Sequence, residues 1–184
     1  MRAAWAALVR DGYEKITTRR IAEIAGVNVA TLHYYFGTKE SLLGEATRFA
    51  LKDTEKRWRS AMEEAETAIG ALNGIFAEIW TGVQEQPGAL RYDLVVRGFR
   101  DETARQDVLA IYSSYRLLVE GLIERHLLEG GTLAPGMTVA SITHYMLCAI
   151  DGVLLQHVLT GDSAAATTAL AMIQNHALSL LNTE

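Results

Sequence analysis

Apolar residues recur at spacings of three and four along almost the whole chain, and glycines interrupt the pattern wherever one stretch ends. That period puts apolar side chains on one face of an α-helix. It divides the 184 residues into nine predicted helices, at about 1–11, 18–25, 29–36, 39–69, 71–86, 89–100, 102–129, 137–160 and 164–182. The longest stripe, Val108, Ile111, Tyr115, Leu118, Leu122, Ile123 and His126, keeps one face for five turns and reads as core. Gly12, Gly26, Gly37, Gly130 and Gly161 each stand just past such a run, where a helix C-terminus favours a residue that takes positive φ. Strand-like alternation occurs at Tyr92 to Phe99, without a second segment to pair with it, and an isolated strand is unstable.

Composition narrows the class. Apolar residues make up 49% and charged residues 21%, which excludes global disorder. The single cysteine, Cys148, excludes an internal disulfide. The most apolar stretch, 139–159, is interrupted by His144, Asp151 and His157, so no membrane partner is expected. Arg2 and Arg10 flank a short apolar segment without a cleavage pattern, and the expected location is cytoplasmic. A net charge of −5 argues against nucleic acid until its distribution is read. Residues 1–52 hold eight Lys and Arg against five Asp and Glu, a net +3, while the remainder holds nine against seventeen, a net −8. A basic end on an acidic body suits a chain with one end facing phosphates.

Residues 17–40 read TTRRIAEIAGVNVATLHYYFGTKE. Thr17 is placed to cap a first helix whose buried face is Ile21, Ile24 and Ala25, with Ala22 small enough for close packing. Gly26 ends that helix, Val27 fills the space under the turn, and Asn28 caps a second helix with Leu32 and Phe36 on its inner side. The outer side is left to Val29, Ala30, His33 and part of Tyr34. A helix that turns its N-terminal residues outward fits the major groove, where base edges are read.

Gly12-Tyr13, Thr17-Thr18, Ile21-Ala22, Ala25-Gly26-Val27, Thr31-Leu32, Tyr34-Tyr35-Phe36 and Thr38-Lys39-Glu40 stand at offsets that resemble the signature of the TetR family of transcriptional regulators, over about residues 6–46. The resemblance implies an all-α fold: a three-helix helix-turn-helix DNA-binding domain at 1–46, then a six-helix ligand-binding and dimerisation domain at 47–184. It puts Thr17, Thr18, Thr31, Tyr34 and Lys39 near phosphates and Arg19, Val29, Ala30 and His33 near base edges, with Asn28 at the helix start. His33 stands where the family usually has tyrosine, and Ala30 where it often has glycine. Tyr35 and Phe36 are expected in the core. The implied function is a ligand-responsive DNA-binding regulator, a repressor released from double-stranded operator DNA by an unidentified small-molecule effector.

One helix-turn-helix reaches few phosphates, so a homodimer is expected, with half-sites about 34–36 Å apart or a multiple of that. The last two helices are apolar beyond a single stripe, and Ile150, Val153, Leu154 and Val158, then Leu170, Ile173, Ala177 and Leu181, are the candidate interface. Phe76, Trp80, Tyr92, Tyr112, Tyr115 and Met146 are candidates for lining an effector cavity, and Arg97 for meeting an anionic group there. A long helix at 39–69 is placed to carry movement between effector and DNA. Coupling of about 1–3 kcal/mol weakens DNA binding roughly 5- to 150-fold. His144 and Cys148, one turn apart, supply two metal ligands where structural zinc takes four, so no metal or other cofactor is expected. No histidine has a recognisable nucleophile system beside it, so no enzyme is expected. The competing reading is a helical small-molecule binding or interaction module without DNA binding.

Overall fold

The structure, a computed structural model, describes residues 1–12, 15–85 and 89–182; Tyr13 of the resemblance lies outside them. The helices are α1 (Arg2–Asp11), α2 (Thr18–Ala25), α3 (Val29–Phe36), α4 (Lys39–Glu64), α5 (Ala68–Glu85), α6 (Ala89–Gly98), α7 (Glu102–Leu128), α8 (Val139–Thr160) and α9 (Ser163–Leu180). Two short strands, β1 (Thr132–Leu133) and β2 (Leu181–Asn182), pair antiparallel. All five glycines expected at helix ends take positive φ.

The chain forms two compact units. The first comprises Met1–Thr54 and Ala89–Leu109, the second Glu55–Gly88 and Ala110–Glu184, so that α4 and α7 each contribute to both. In the first unit Ala4, Ala7 and Leu8 of α1 pack with Ile16, Ile21, Ala22, Leu32, Leu42, Leu43 and Ala46. The Thr17 hydroxyl accepts the Arg20 N–H at 3.2 Å, and the Asn28 side chain accepts the Ala30 N–H at 2.8 Å, so both expected caps are formed. Contrary to expectation, Ala25 and Val27 are exposed. Val27, at 41% exposure, lines an open crevice of about 550 Å³ together with Ile21, Leu32, Phe36 and Phe49, instead of filling the space under the turn. An ion pair between Arg48 on α4 and Asp107 on α7 joins those helices within this unit.

The second unit is built around Trp58, Leu72, Ile75, Phe76, Tyr115, Leu122, Ile123, Ile142, Met146 and Leu170. The expected single helix at 39–69 ends early, at Glu64. The cause is tertiary. The Arg125 guanidinium donates to the carbonyls of Met62 at 3.0 Å, Ala65 at 2.9 Å and Glu66 at 2.7 Å, taking acceptors that a continuing helix would use itself. Glu129 accepts the Ala68 N–H at 2.9 Å and the Thr67 hydroxyl accepts the Gly70 N–H at 3.1 Å, which starts α5. Arg125 and Glu129 are also paired with each other at 2.7 Å, so one turn of α7 clasps both helix ends.

The Ala68 N–H, followed by Arg125, holds the Glu129 carboxyl below the ordinary carboxylate range. A depressed folded value means that the stabilisation is present above the unfolded value and is lost as pH falls through the folded one. Melting of the wild type and Glu129→Gln between pH 7 and pH 3 is therefore expected to show a wild-type advantage at neutral pH that shrinks as pH falls. An advantage undiminished at pH 3 would contradict this account of the clasp.

Candidate nucleic-acid interface and effector site

The two-turn helix α3 buries only Leu32 completely, with Val29 and Phe36 packed partly against the same core. Ala30, Thr31, His33 and Tyr34 are exposed, as are Thr17, Arg19 and Asn28, while Thr18 and Lys39 are half-buried. Val29 is thus shared between core and surface rather than turned fully outward. Tyr34 is 83% exposed, and Tyr35, expected in the core, is 72% exposed with its ring 5.2 Å from that of Tyr34 in an edge-on arrangement. The core beneath this short helix is too narrow to cover a third large side chain. Two neighbouring aromatic rings thus stand in solvent on the outer side of α3. Arg20 is bound to Glu23 at 2.7 Å. At the start of α4 the Thr38 hydroxyl accepts the Ser41 N–H at 3.1 Å, beside Lys39, and a helix N-terminus with a lysine in its first turn suits a phosphate.

The candidate effector residues divide between the units. Phe76, Tyr115 and Met146 are buried in the second core, with Trp80 packed partly against it. Tyr112 is half-buried on the same stretch of α7. Tyr92 and Arg97 belong to the first unit. There Arg97 stands one turn after Asp93, whose carboxyl is pushed up by burial and pulled back by the Arg97 charge. The second core also holds Trp58, its ring centroid 4.8 Å from that of Tyr115. Among the described residues, the buried Trp58 Nε1 and Thr143 Oγ1 have no hydrogen-bond partner, although Trp58 is 6% and Thr143 1% exposed. Buried polar atoms left unpaired are costly.

The expected dimer interface is corrected. Ile150, Leu170, Ile173, Ala177 and Leu181 lie in the core of the second unit, with Val153 and Leu154 packed partly against it and Val158 half-buried. The spacing showed that α8 and α9 are apolar on more than one side but assigned the wrong side to the surface. Among the residues that α8 leaves open are Cys148, Gly152, Leu155 and Leu159, at intervals of four, three and four, and among those that α9 leaves open are Ala171 and Met172. Leu159 is 76% and Met172 67% exposed. The Cys148 Sγ lies 3.7 Å from His144 Nε2 on this face.

The family model of bacterial regulatory proteins of the tetR family matches residues 1–46, the segment that forms α1, α2, α3 and the first turns of α4. Residues 1–46 thus match the helix-turn-helix segment of the TetR family. The chain is similar over nearly its full length to helix-turn-helix transcriptional regulators. The HTH-type transcriptional regulator BetI of Agrobacterium fabrum is 28% identical over 176 residues, covering 95% of this chain and 82% of the relative. That of Brucella anthropi is 27% identical over 181 residues, covering 95% and 87%. Among solved structures, a TetR transcription regulator from Haloarcula marismortui superposes with a TM-score of 0.85 at 22% identity, covering 98% of this chain and 95% of its own. The transcriptional regulator FadR from Bacillus subtilis, in complex with stearoyl-CoA, does so with a TM-score of 0.68 at 19% identity, covering 94% of each.

Three residues escaped sequence reasoning. Tyr35 reads as core because it adjoins Phe36. Trp58 sits in the charged run Lys56-Arg57-Trp58-Arg59, which reads as a solvated face. Thr143 is an ordinary helix residue until its surroundings are known. Only Tyr35 left a usable signal, since a two-turn helix has room for few inward side chains.

Proposed function

We propose that the chain acts as a homodimeric, cytoplasmic repressor that occupies operator DNA through α3 and leaves it when a small molecule enters the core of the second unit. Residues 1–46 serve DNA binding and residues 47–184 serve effector binding and dimerisation, a division by role rather than by compactness. The observation that carries the reading is the outward edge of α3, where Thr31, His33, Tyr34 and Tyr35 are all exposed beside a helix start bearing Lys39. Thr17, Thr18, Thr31, Tyr34, Tyr35 and Lys39 position the protein on phosphates, while Arg19, Ala30 and His33 face base edges.

The exposed faces of α8 and α9 are the proposed dimer contact. Helix α8 reaches a mean hydropathy of 1.3 over its most apolar window, enough by length and composition to cross a membrane, but Ile142, Met146 and Ile150 bury one side of it in the core. The apolar residues on its other side suit a second copy. Gly152 on that side costs helix stability and has open space where a Cβ would be, which suits close approach by a partner helix.

The effector site is the core around Trp58, Phe76, Tyr115 and Met146. Its unpaired Trp58 Nε1 and Thr143 Oγ1 support a largely apolar ligand that carries hydrogen-bond acceptors. The stearoyl-CoA held by the Bacillus subtilis FadR agrees with a helical body of this fold accepting such a molecule. Helices α4 and α7 are tied twice, by Trp58 on Tyr115 in the second unit and by Arg48 to Asp107 in the first. A ligand that parts the rings acts on the helices that the ion pair joins.

The test is a salt titration on duplexes selected from a random pool. With about six phosphates neutralised per dimer, log affinity is expected to fall against log salt with a slope near −5. Lys39→Ala is expected to weaken all sequences alike and to make the slope shallower by about one unit per half-site. A flat response would leave only the helical binding module.

A further inference from the structure

Gly37, between α3 and α4, has φ 69 and ψ −75, and the Thr38 N–H donates to the Phe36 carbonyl at 2.8 Å. This is a γ-turn in a backbone region that glycine takes far more easily than any residue with a side chain. The turn brings the Gly37 carbonyl to the His33 ring, with Nδ1 at 3.1 Å, while the Gly37 N–H donates to the His33 carbonyl at 2.9 Å. A carbonyl oxygen only accepts hydrogen bonds, so Nδ1 carries the hydrogen. In a neutral imidazole, Nε2 then holds a lone pair and no proton.

We propose that His33 is a specificity-determining residue that accepts a hydrogen bond, through Nε2, from the amino group of a cytosine or an adenine in the major groove. The proposal rests on the DNA-binding reading above. In that groove cytosine N4 and adenine N6 are donors, whereas guanine O6 and N7 and thymine O4 are acceptors that offer this lone pair nothing. Phosphate oxygens are acceptors too, so a ring held in this form gains no hydrogen bond from the backbone. The tyrosine that usually stands here in the family, by the resemblance, has a hydroxyl that donates as well as accepts. Replacing it with a histidine anchored on Gly37 removes the donor and narrows the choice of base.

The experiment uses the full chain at pH 8, above the ordinary imidazole range of about 6.5. Duplexes are selected from a random pool with the wild type and with His33→Phe, an exposed position where the ring can change without disturbing the core. One position per half-site is expected to favour cytosine or adenine over the keto bases by about three- to tenfold in the wild type, and His33→Phe is expected to flatten that position alone. Replacing the chosen base by its analogue without the amino group, 2-pyrimidinone or purine, is expected to cost the wild type the same factor and His33→Phe nothing. Nitrogen NMR of the free protein is expected to show Nδ1 protonated and Nε2 bare. Guanine or thymine at the affected position, a uniform loss on all sequences, or a proton on Nε2 would each overturn the proposal while leaving DNA binding intact. Absence of salt-dependent binding by the wild type would instead remove the reading beneath it, and the proposal with it.

Discussion

Leu159→Glu combined with Met172→Glu is expected to convert the proposed dimer to a monomer and to lower operator affinity by at least about a thousandfold, the low end of the usual gap between specific and non-specific binding. Both side chains are exposed within the single chain, at 76% and 67%, so a carboxylate at either position stays solvated and the fold is untouched. In a dimer built on this face, four added carboxylates would be desolvated at mutual close range without cations to pair with them. A monomer then presents one copy of α3 and roughly half the phosphate contacts. Sedimentation measures the mass, circular dichroism the fold, and DNA titration at fixed salt the affinity. A double variant that stays dimeric and binds the operator normally would place the subunit contact elsewhere on the molecule.

Gly131→Ala is expected to destabilise the protein by about 2–3 kcal/mol, as overpacking of a filled site does, which for a chain of this length lowers Tm by roughly 5–10 °C. Helix α7 ends with the Gly130 N–H donating to the Leu127 carbonyl at 3.2 Å and the Gly131 N–H donating to the His126 carbonyl at 3.0 Å, the double closure of a Schellman motif. The His126 ring, 2% exposed, lies over the Gly131 Cα so closely that an added Cβ would fall 2.1 Å from Cε1 and from Nε2. The ring is itself buried, so the shift that the added methyl forces has to be taken up by its packed neighbours. In a double-mutant cycle, His126→Ala should remove the penalty, so that the double variant is no less stable than His126→Ala alone. A Gly131→Ala protein that melts with the wild type would show that the ring moves freely.

These two sites differ in how far the sequence reveals them. Gly130 could be read as a helix stop because the stop depends on its own backbone and the apolar period before it. Nothing local distinguished Gly131, since its requirement comes from a side chain five positions earlier that packs only once α7 has docked. The break between α4 and α5 follows the same rule. The ending at Glu64 depends on Arg125 and Glu129, about sixty residues away in sequence, which the local apolar period cannot register.

The amino-acid order by itself determined most of the helices among the described residues, their glycine stops, the caps at Thr17 and Asn28 and the family signature, because each depends on residues within a few positions of one another. Folding in three dimensions decided which apolar faces became interior. It put Ile150, Leu170, Ile173 and Ala177 inside and left Leu155, Leu159 and Met172 out, exposed Tyr35, and buried Trp58 from within a charged run. A helix that is apolar on two sides can be turned either way at equal local cost, and only the neighbours it packs against settle which side faces water.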